Sequence, residues 1–434
     1  MTLDEADAPV ERAPETDGEA APSDSPTTER SVFWVFPTLF GISLLLESIA
    51  DELRYAKYLL APAGFVLWAA LARKRVHRSR TYRPYVLRFL GLFLAMIGAS
   101  LVVHLGGGTL SGRFFEEATF IVSPLIFVLF AFEFFDPADR ARHARLMFFF
   151  VAASYIIQAG QGLIEVALHP WLLIEGLRTS NMPTETGYLA YVLGSFFLYF
   201  HFTGERRYSL VALVLTVFAF KRLEFVALVG VLLTKGLVEH SFRRLQRLRW
   251  TVPYLALAVN AAYLALVIAL VSGALDELVG ELTGTSANAV TMGRVSGAFG
   301  VVEGELGGFV VWWGKGLGTV TPILQHEGTT LLNLHSDVLK NFIEFGVPLF
   351  VVWLVLFYRF HLRSLPITLL ALHLNVLYMA ENVFIYAGYS VVFYTLVIFL
   401  MADADEKDGA TLADSSGGAG AAQERGTPSE TSSP

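Results

Sequence analysis

YSLVALVLTVFAFKRLEFVALVGVLLTK, residues 208–235, is the stretch on which the fold turns. Two apolar runs, Tyr208 to Phe220 and Phe225 to Lys235, flank Lys221-Arg222-Leu223-Glu224, which carries two cations and an acid. Each run is shorter than the ~20 apolar residues that cross ~30 Å of hydrocarbon. Read as one helix, residues 208–238 would exceed about 45 Å at about 1.5 Å per residue, and would set basic clusters on opposite sides of a bilayer. A hairpin with the charges at its tip removes both difficulties. Charge at membrane depth costs at least about 2.5 kcal/mol, so it faces water or a partner and marks a functional site by default.

Outward from this hairpin the composition is that of a membrane protein. Of the 434 residues 54% are hydrophobic and 16% charged, and the mean hydropathy is +0.54, which excludes an ordinary soluble enzyme. Apolar segments recur at 33–46, 56–72, 85–105, 119–134, 146–164, 187–203, 208–220, 223–238, 251–272, 337–360, 364–380 and 384–401. They predict an all-α polytopic membrane protein with about 12 transmembrane helices. The first segment follows a polar stretch instead of a short basic one, so it reads as an anchor and not as a cleaved signal peptide.

Basic residues give the orientation, because short cytoplasmic loops carry the excess of Arg and Lys. Arg73, Lys74, Arg75, Arg78, Arg80 and Arg83 follow the second segment, and Arg140, Arg142 and Arg145 the fourth. Arg206 and Arg207 follow the sixth, and Arg243, Arg244, Arg247 and Arg249 the eighth. All are even-numbered exits, so both termini are expected in the cytoplasm and the chain in the cytoplasmic membrane. Lys221 and Arg222 then lie at an outer tip, against the positive-inside trend.

Residues 1–30 and 402–434 are rich in Ala, Glu, Asp, Ser, Thr, Pro and Gly, and read as disordered tails around a transmembrane domain at 31–401. The net charge of -7 comes largely from these tails and says nothing of substrate. The chain has no cysteine, which excludes disulfides, cysteine-based zinc sites and a thiol nucleophile.

One outer loop is large, at 273–334. Its glycines and polar residues, with Arg294, Trp312, Trp313 and Gly314-Lys315-Gly316-Leu317-Gly318, suit a folded external element of tight turns and amphipathic helix that caps a cavity. The glycine cluster lacks the Walker spacing and faces outside, so it is no nucleotide loop; on composition alone, ordinary turn glycines are the plainer reading. At the loop's end stands Leu334-His335-Ser336-Asp337-Val338-Leu339-Lys340. Ser336 suits an N-cap with Asp337 in the first turn, which sets His335 just ahead of a helix N-terminus. Free amides there favour phosphate, and a neutral imidazole beside them can accept a proton from a sugar hydroxyl. A histidine capping a surface loop is the plainer alternative. Pro348 predicts a kink near the outer end of this helix.

These residues resemble the O-antigen ligase and O-antigen polymerase superfamily of bacterial envelope glycosyltransferases. The ligase motif is His, then Asn, Ser or Gln, nine arbitrary residues, Gly, two more, and Gly, Thr or Tyr. His335, Ser336 and Gly346 fit it, while Leu349 departs. Arg222 opening an apolar run, Gly293-Arg294 early in the large loop, and Gly314-Lys315-Gly316-Leu317-Gly318 before the histidine are also similar in order and spacing, over roughly 180–400. Members often have Ser-Arg where this chain has Lys221-Arg222.

The resemblance implies an inverting transferase of the type-C membrane class that needs no metal or other cofactor. Its donor would be a polyprenyl-diphosphate-linked glycan, its acceptor a glycan or lipid-linked hydroxyl, and its medium the lipid bilayer, with no nucleic-acid partner. Arg222 and Arg294 would bind the diphosphate through bidentate contacts, with Lys221, Lys315 and Arg178 as further candidates, and His335 would orient or deprotonate the acceptor hydroxyl. Leu349 and Lys221 leave ligase and polymerase both open. Two other classes share the helix count. A secondary transporter holds substrate at the midplane between paired broken helices, whereas the charges here gather at the outer face. A flippase for lipid-linked glycans would need cations reachable from both faces.

Overall fold

The computed structural model describes residues 34–49, 51–73, 82–107, 109–172, 175, 183–241, 251–291, 295, 298, 312–326 and 334–423, and among them every regular element is helical. In chain order these are α1 (Val35–Ile49), α2 (Leu60–Ala72), α3 (Arg83–Gly107), α4 (Gly112–Phe132), α5 (Arg140–Leu168), α6 (Leu189–Thr203), α7 (Arg206–Ala219), α8 (Arg222–Val238) and α9 (Thr251–Val271). Then follow the short α10 (Asp276–Thr283), α11 (Ala287–Val290) and α12 (Val320–His326), and finally α13 (Asp337–His361), α14 (Leu365–Ala380) and α15 (Ala387–Gln423). Each apolar segment of the sequence holds one of these helices, and α10–α12 fall within 273–334. Among the described residues, 6 helices can cross a membrane by length and hydropathy: α3, α4, α5, α9, α13 and the first part of α15. The protein is an α-helical membrane protein.

α6 is the central helix. Every residue from Leu189 to Phe200 is buried, as expected of a helix apolar on all sides, and it packs against α5, α7, α8, α14 and α15. The hairpin expected over 208–238 forms around it. α7 ends at Ala219, Phe220 turns the chain in the left-handed region at φ 47, and α8 starts at Arg222. At that tip Thr184, just before α6, donates from Oγ1 to the Phe218 carbonyl at 2.6 Å. At the far end Lys235 and Glu239 come within electrostatic range of His201 near the end of α6. α7 therefore runs antiparallel to α6, and α8 returns parallel to it.

The first turn of α8 is fixed by a fully buried pair. Glu224 Oε1 lies 2.8 Å from His373 Nε2 on α14, both side chains 0% exposed. Gly194 of α6 supplies the space, because a Cβ there would lie inside the Glu224 carboxylate. Glu224 is buried, whereas Arg222, two residues earlier, is exposed.

Among the described residues, the arginines at the start of α5, at the α6–α7 turn and after α13 gather at one end of the bundle. Arg145 at the start of α5 pairs with Glu205 at the α6–α7 turn at 2.7 Å. Arg140 pairs with Asp403 at 3.2 Å and with Glu406, and Arg363 with Asp405 at 2.6 Å. These pairs hold the first turns of α15 beyond residue 401, and the helix runs on to Gln423 through the polar stretch that the sequence assigns to a tail.

The kink expected at Pro348 appears two residues earlier, at Gly346 (φ 74, ψ 172). Pro348 has no N–H for the Glu344 carbonyl, and the break at Gly346 removes Val347 from the Ile343 carbonyl. Both orphans are taken by the glycine loop: Gly316 N donates to Glu344 O at 2.9 Å and Lys315 N to Ile343 O at 3.1 Å. Buried carbonyls must find donors. Gly314 and Gly346 touch backbone to backbone, with no room for a Cβ on either.

Gly194→Ala should therefore destabilise the protein by about 3–5 kcal/mol, the scale of a broken buried pair. Gly230→Ala on α8, where a Cβ meets nothing within 4 Å, should be neutral or stabilise by about 0.4–1 kcal/mol. Thermal unfolding of the two variants in detergent checks the contrast; equal melting temperatures would refute the account of Gly194.

Candidate functional site

At the end of the bundle opposite the arginine-rich loops lies a cavity of about 380 Å³. The α7–α8 turn supplies Phe220, Lys221, Arg222 and Leu223; the start of α13 supplies Leu334, His335, Ser336 and Leu339; α14 and its exit supply Ala380 and Glu381. Glu185 and Tyr191 enter from the α6 side. α9 gives the opposite wall with Tyr263, Leu266, Val267, Leu270 and Val271, and the large loop gives Thr291, Val295 and Ala298. One wall is charged and the other apolar.

The start of α13 folds as its sequence requires. Ser336 Oγ accepts from Leu339 N at 3.1 Å as an N-cap, and it lies 3.2 Å from the Tyr263 phenol, which also bonds the Met379 carbonyl. His335 stands before the cap at φ 52. Left-handed backbone costs a residue other than glycine about 1–3 kcal/mol, and such positions concentrate at functional sites. The two positive-φ residues other than glycine among those described, Phe220 and His335, both line this cavity.

His335 Nδ1 lies 2.9 Å from Glu381 Oε1. The Glu381 carboxylate also accepts from Asn382 N at 3.2 Å and from the Tyr191 hydroxyl at 3.0 Å. Its backbone carbonyl takes Asp337 N at 3.1 Å, tying the exit of α14 to the start of α13. Burial pushes this carboxyl up, but the hydrogen bond and charge of His335, with the donors from Asn382 and Tyr191, outweigh burial and hold it down at about 2. A carboxylate held that low orients Nδ1–H toward itself and leaves Nε2 to the cavity; no described residue bonds Nε2. His335 is 32% exposed and Glu381 7%, so a ligand reaches the imidazole before the acid behind it. Carboxylate, imidazole and open nitrogen make up the chemistry of an oriented general base.

Of the residues singled out from sequence, Lys221, Arg222 and His335 meet in this cavity. Lys221 Nζ is held by Glu185 Oε1 at 2.6 Å. Glu224 is the partner of His373 and not of Arg222. Lys315 does not line the cavity: its backbone serves the α13 break, because Pro348 and Gly346 leave carbonyls there that need donors. Arg178 and Arg294 lie outside the described residues.

Sequence reasoning missed Glu381, Tyr191, Glu185 and Tyr263. Glu381-Asn382 is a polar pair wedged between the apolar runs at 364–380 and 384–401, and Glu185 sits in a polar stretch just before another; an acid so close to membrane depth is a signal of the same kind as Lys221-Arg222. It also missed a buried network behind α13. Lys340 Nζ pairs with Glu117 Oε2 at 2.5 Å, Thr321 donates to Glu117 Oε1 at 3.3 Å, and Glu344 Oε1 accepts from Gly318 N and Val320 N at 3.0 and 3.2 Å. That network pins α12 and the glycine loop to α13. Comparison of the chain with protein-family models, with curated proteins and with solved structures gives no match.

Proposed function

We propose that the chain is an inverting, metal-independent membrane glycosyltransferase that moves a glycan from a polyprenyl-diphosphate donor to an acceptor hydroxyl at the outer face of the cytoplasmic membrane, like the O-antigen ligases and polymerases it resembles. The observation that carries this reading is the meeting of Lys221, Arg222 and a carboxylate-oriented His335 in one cavity with an apolar opposite wall. A diphosphate ester on a lipid tail has the same two-sided chemistry. Arg222 and Arg294, assisted by Lys221, hold the phosphate oxygens. His335 Nε2 accepts the acceptor's proton as its oxygen attacks the anomeric carbon. The bond from that carbon to the phosphate oxygen breaks, the electron pair leaves with the diphosphate, and Glu381 stabilises the imidazolium until its proton passes to the leaving group or to solvent. Attack opposite the departing phosphate inverts the anomeric centre.

With this goes a topology of about 12 crossings, both termini cytoplasmic, residues 273–334 outside and a type-C arrangement of helices. Because the chain is free of cysteine, single thiols report side directly. A cysteine at Ser286 should react with an impermeant maleimide in intact cells and one at Arg207 only after permeabilisation; the reverse pattern overturns the orientation.

Arg222→Ala should abolish transfer at near-normal protein level, and Arg222→Lys should recover it in part, since a point charge cannot reproduce a bidentate fork. Full activity in the alanine variant, scored on membranes of equal protein content, removes Arg222 from the site.

His335→Ala should lower transfer by about 10²–10⁴-fold while leaving donor binding intact, and Glu381→Gln should lower turnover more than it raises the donor KM. Gel analysis of the accumulated glycan then names the reaction: single repeat units on the lipid mean polymerase, and full-length polymer on the lipid means ligase. Wild-type glycan profiles in both a deletion strain and a His335→Ala strain would overturn the transferase reading and favour transport.

A further inference from the structure

One carboxylate in the cavity has no part in the proposed transfer. Glu185 Oε1 lies 2.6 Å from Lys221 Nζ, with the two side chains 30% and 24% exposed, so water and ligand reach both. The strand of chain that carries Glu185 is itself fixed. Thr184 before it and Thr186 after it are buried, and Thr184 is bonded to the Phe218 carbonyl at the hairpin tip. Glu185 is thus held against the α7–α8 turn and presents its carboxylate where Lys221 would meet a phosphate oxygen.

The charge balance gives this contact its meaning. The groups that line the cavity among the described residues and carry charge near neutral pH, or can gain it there, are two cations, Lys221 and Arg222, two carboxylates, Glu185 and Glu381, and His335. With the imidazole neutral they sum to zero. Glu381 is committed behind His335 by three donors, whereas among the described residues the side chain of Glu185 pairs with Lys221. A bound diphosphate therefore competes with Glu185 for Lys221. The reaction sharpens that competition. A glycosyl diphosphate ester carries two negative charges; breaking the glycosidic bond leaves the electron pair on the phosphate oxygen and adds a third. Cations that hold the donor hold the leaving group more tightly still.

We infer that Glu185 is an exchange counter-ion for Lys221: it yields the ammonium to the incoming diphosphate and reclaims it as the lipid diphosphate leaves, setting both affinity and product release. This rests on the proposed transferase reading. Half-exposed pairs of this kind are weak, so the exchange is easily reversed.

The test uses the purified full-length chain in lipid nanodiscs, with a short-chain prenyl diphosphate as the probe. Glu185→Gln keeps the shape and removes the charge, and should bind the probe more tightly by about three- to tenfold, with the gain shrinking as salt is raised. In transfer assays its single-turnover rate should match wild type while its multiple-turnover rate falls, because release becomes limiting. The gain should vanish in a Lys221→Gln background if Glu185 acts through that ammonium. Glu185→Ala is a second carboxylate-free variant should the glutamine form be poorly recovered. Equal or weaker binding in folded Glu185 variants, or a gain that survives Lys221→Gln, overturns the counter-ion role and leaves the transferase reading standing. Failure of wild type and variant alike to bind the diphosphate overturns the transferase reading instead, and this inference with it.

Discussion

The site depends on one glutamate whose carboxylate has three partners and whose backbone carbonyl has a fourth. Glu381 joins three helices: through Tyr191 it is fastened to α6, through its backbone carbonyl it receives Asp337 N at the start of α13, and through Oε1 it holds His335. Because it is buried, each contact is made in a medium of low dielectric, where an unsatisfied carboxylate is costly and a satisfied one rigidifies its surroundings. Any movement of α14 against α13 shifts the imidazole. The central helix reinforces this, since α6 carries Tyr191 and, one turn on, the Gly194 notch that seats Glu224. The two groups proposed for catalysis and phosphate binding, on distant parts of the chain, are thus aligned from one helix.

Much of this frame was legible from residues in order. Helical periodicity is not needed where lipid forces every spanning segment to satisfy its own backbone, so each apolar run located a helix, though α4 and α5 start earlier and α15 ends later than the runs do. The basic residues around Arg140, Arg145 and Glu205 collected at one end, and the hairpin broke at Phe220 as its short arms and tip charges required. Ser336 capped α13. What escaped were residues whose meaning lies in a pairing. Glu381 and Glu185 are single acids in short polar breaks, and nothing in the order of residues says that one will lie behind His335 and the other beside Lys221. Lys340 and Glu117 come from helices far apart in sequence, and each alone looks like an interfacial charge on an otherwise apolar run. Gly314-Lys315-Gly316 drew attention for its lysine, yet the structure uses its amides.

That last point bears on how a membrane helix tolerates a break. Gly346 and Pro348 interrupt α13 within its buried part, and the exposed carbonyls of Ile343 and Glu344 would each cost several kcal/mol, of order 4–8 in a wholly apolar medium. Side chains of serine or threonine often repair such gaps. Here a loop folds in and donates from its backbone, and the Glu344 carboxylate returns the favour by accepting from Gly318 N and Val320 N. The exchange fixes the glycine loop and α12 to α13, the helix that starts just after His335.

Strain gives the final step. Phe220 and His335 hold left-handed backbone that side chains with a Cβ normally avoid. A glycine at either place would relieve the cost, and this chain is not short of glycine. Neither residue is replaceable on these terms. Phe220 must end α7 and turn the chain so that Lys221 and Arg222 emerge together into the cavity, and its ring is buried against Phe225 of α8. His335 leaves the loop and presents Nδ1 to Glu381 just before Ser336 caps α13, with Asp337 N bound to the Glu381 carbonyl. Strain at two points, each held in place by contacts from several helices and both facing one cavity, is where a fold gives up stability to hold chemistry in position.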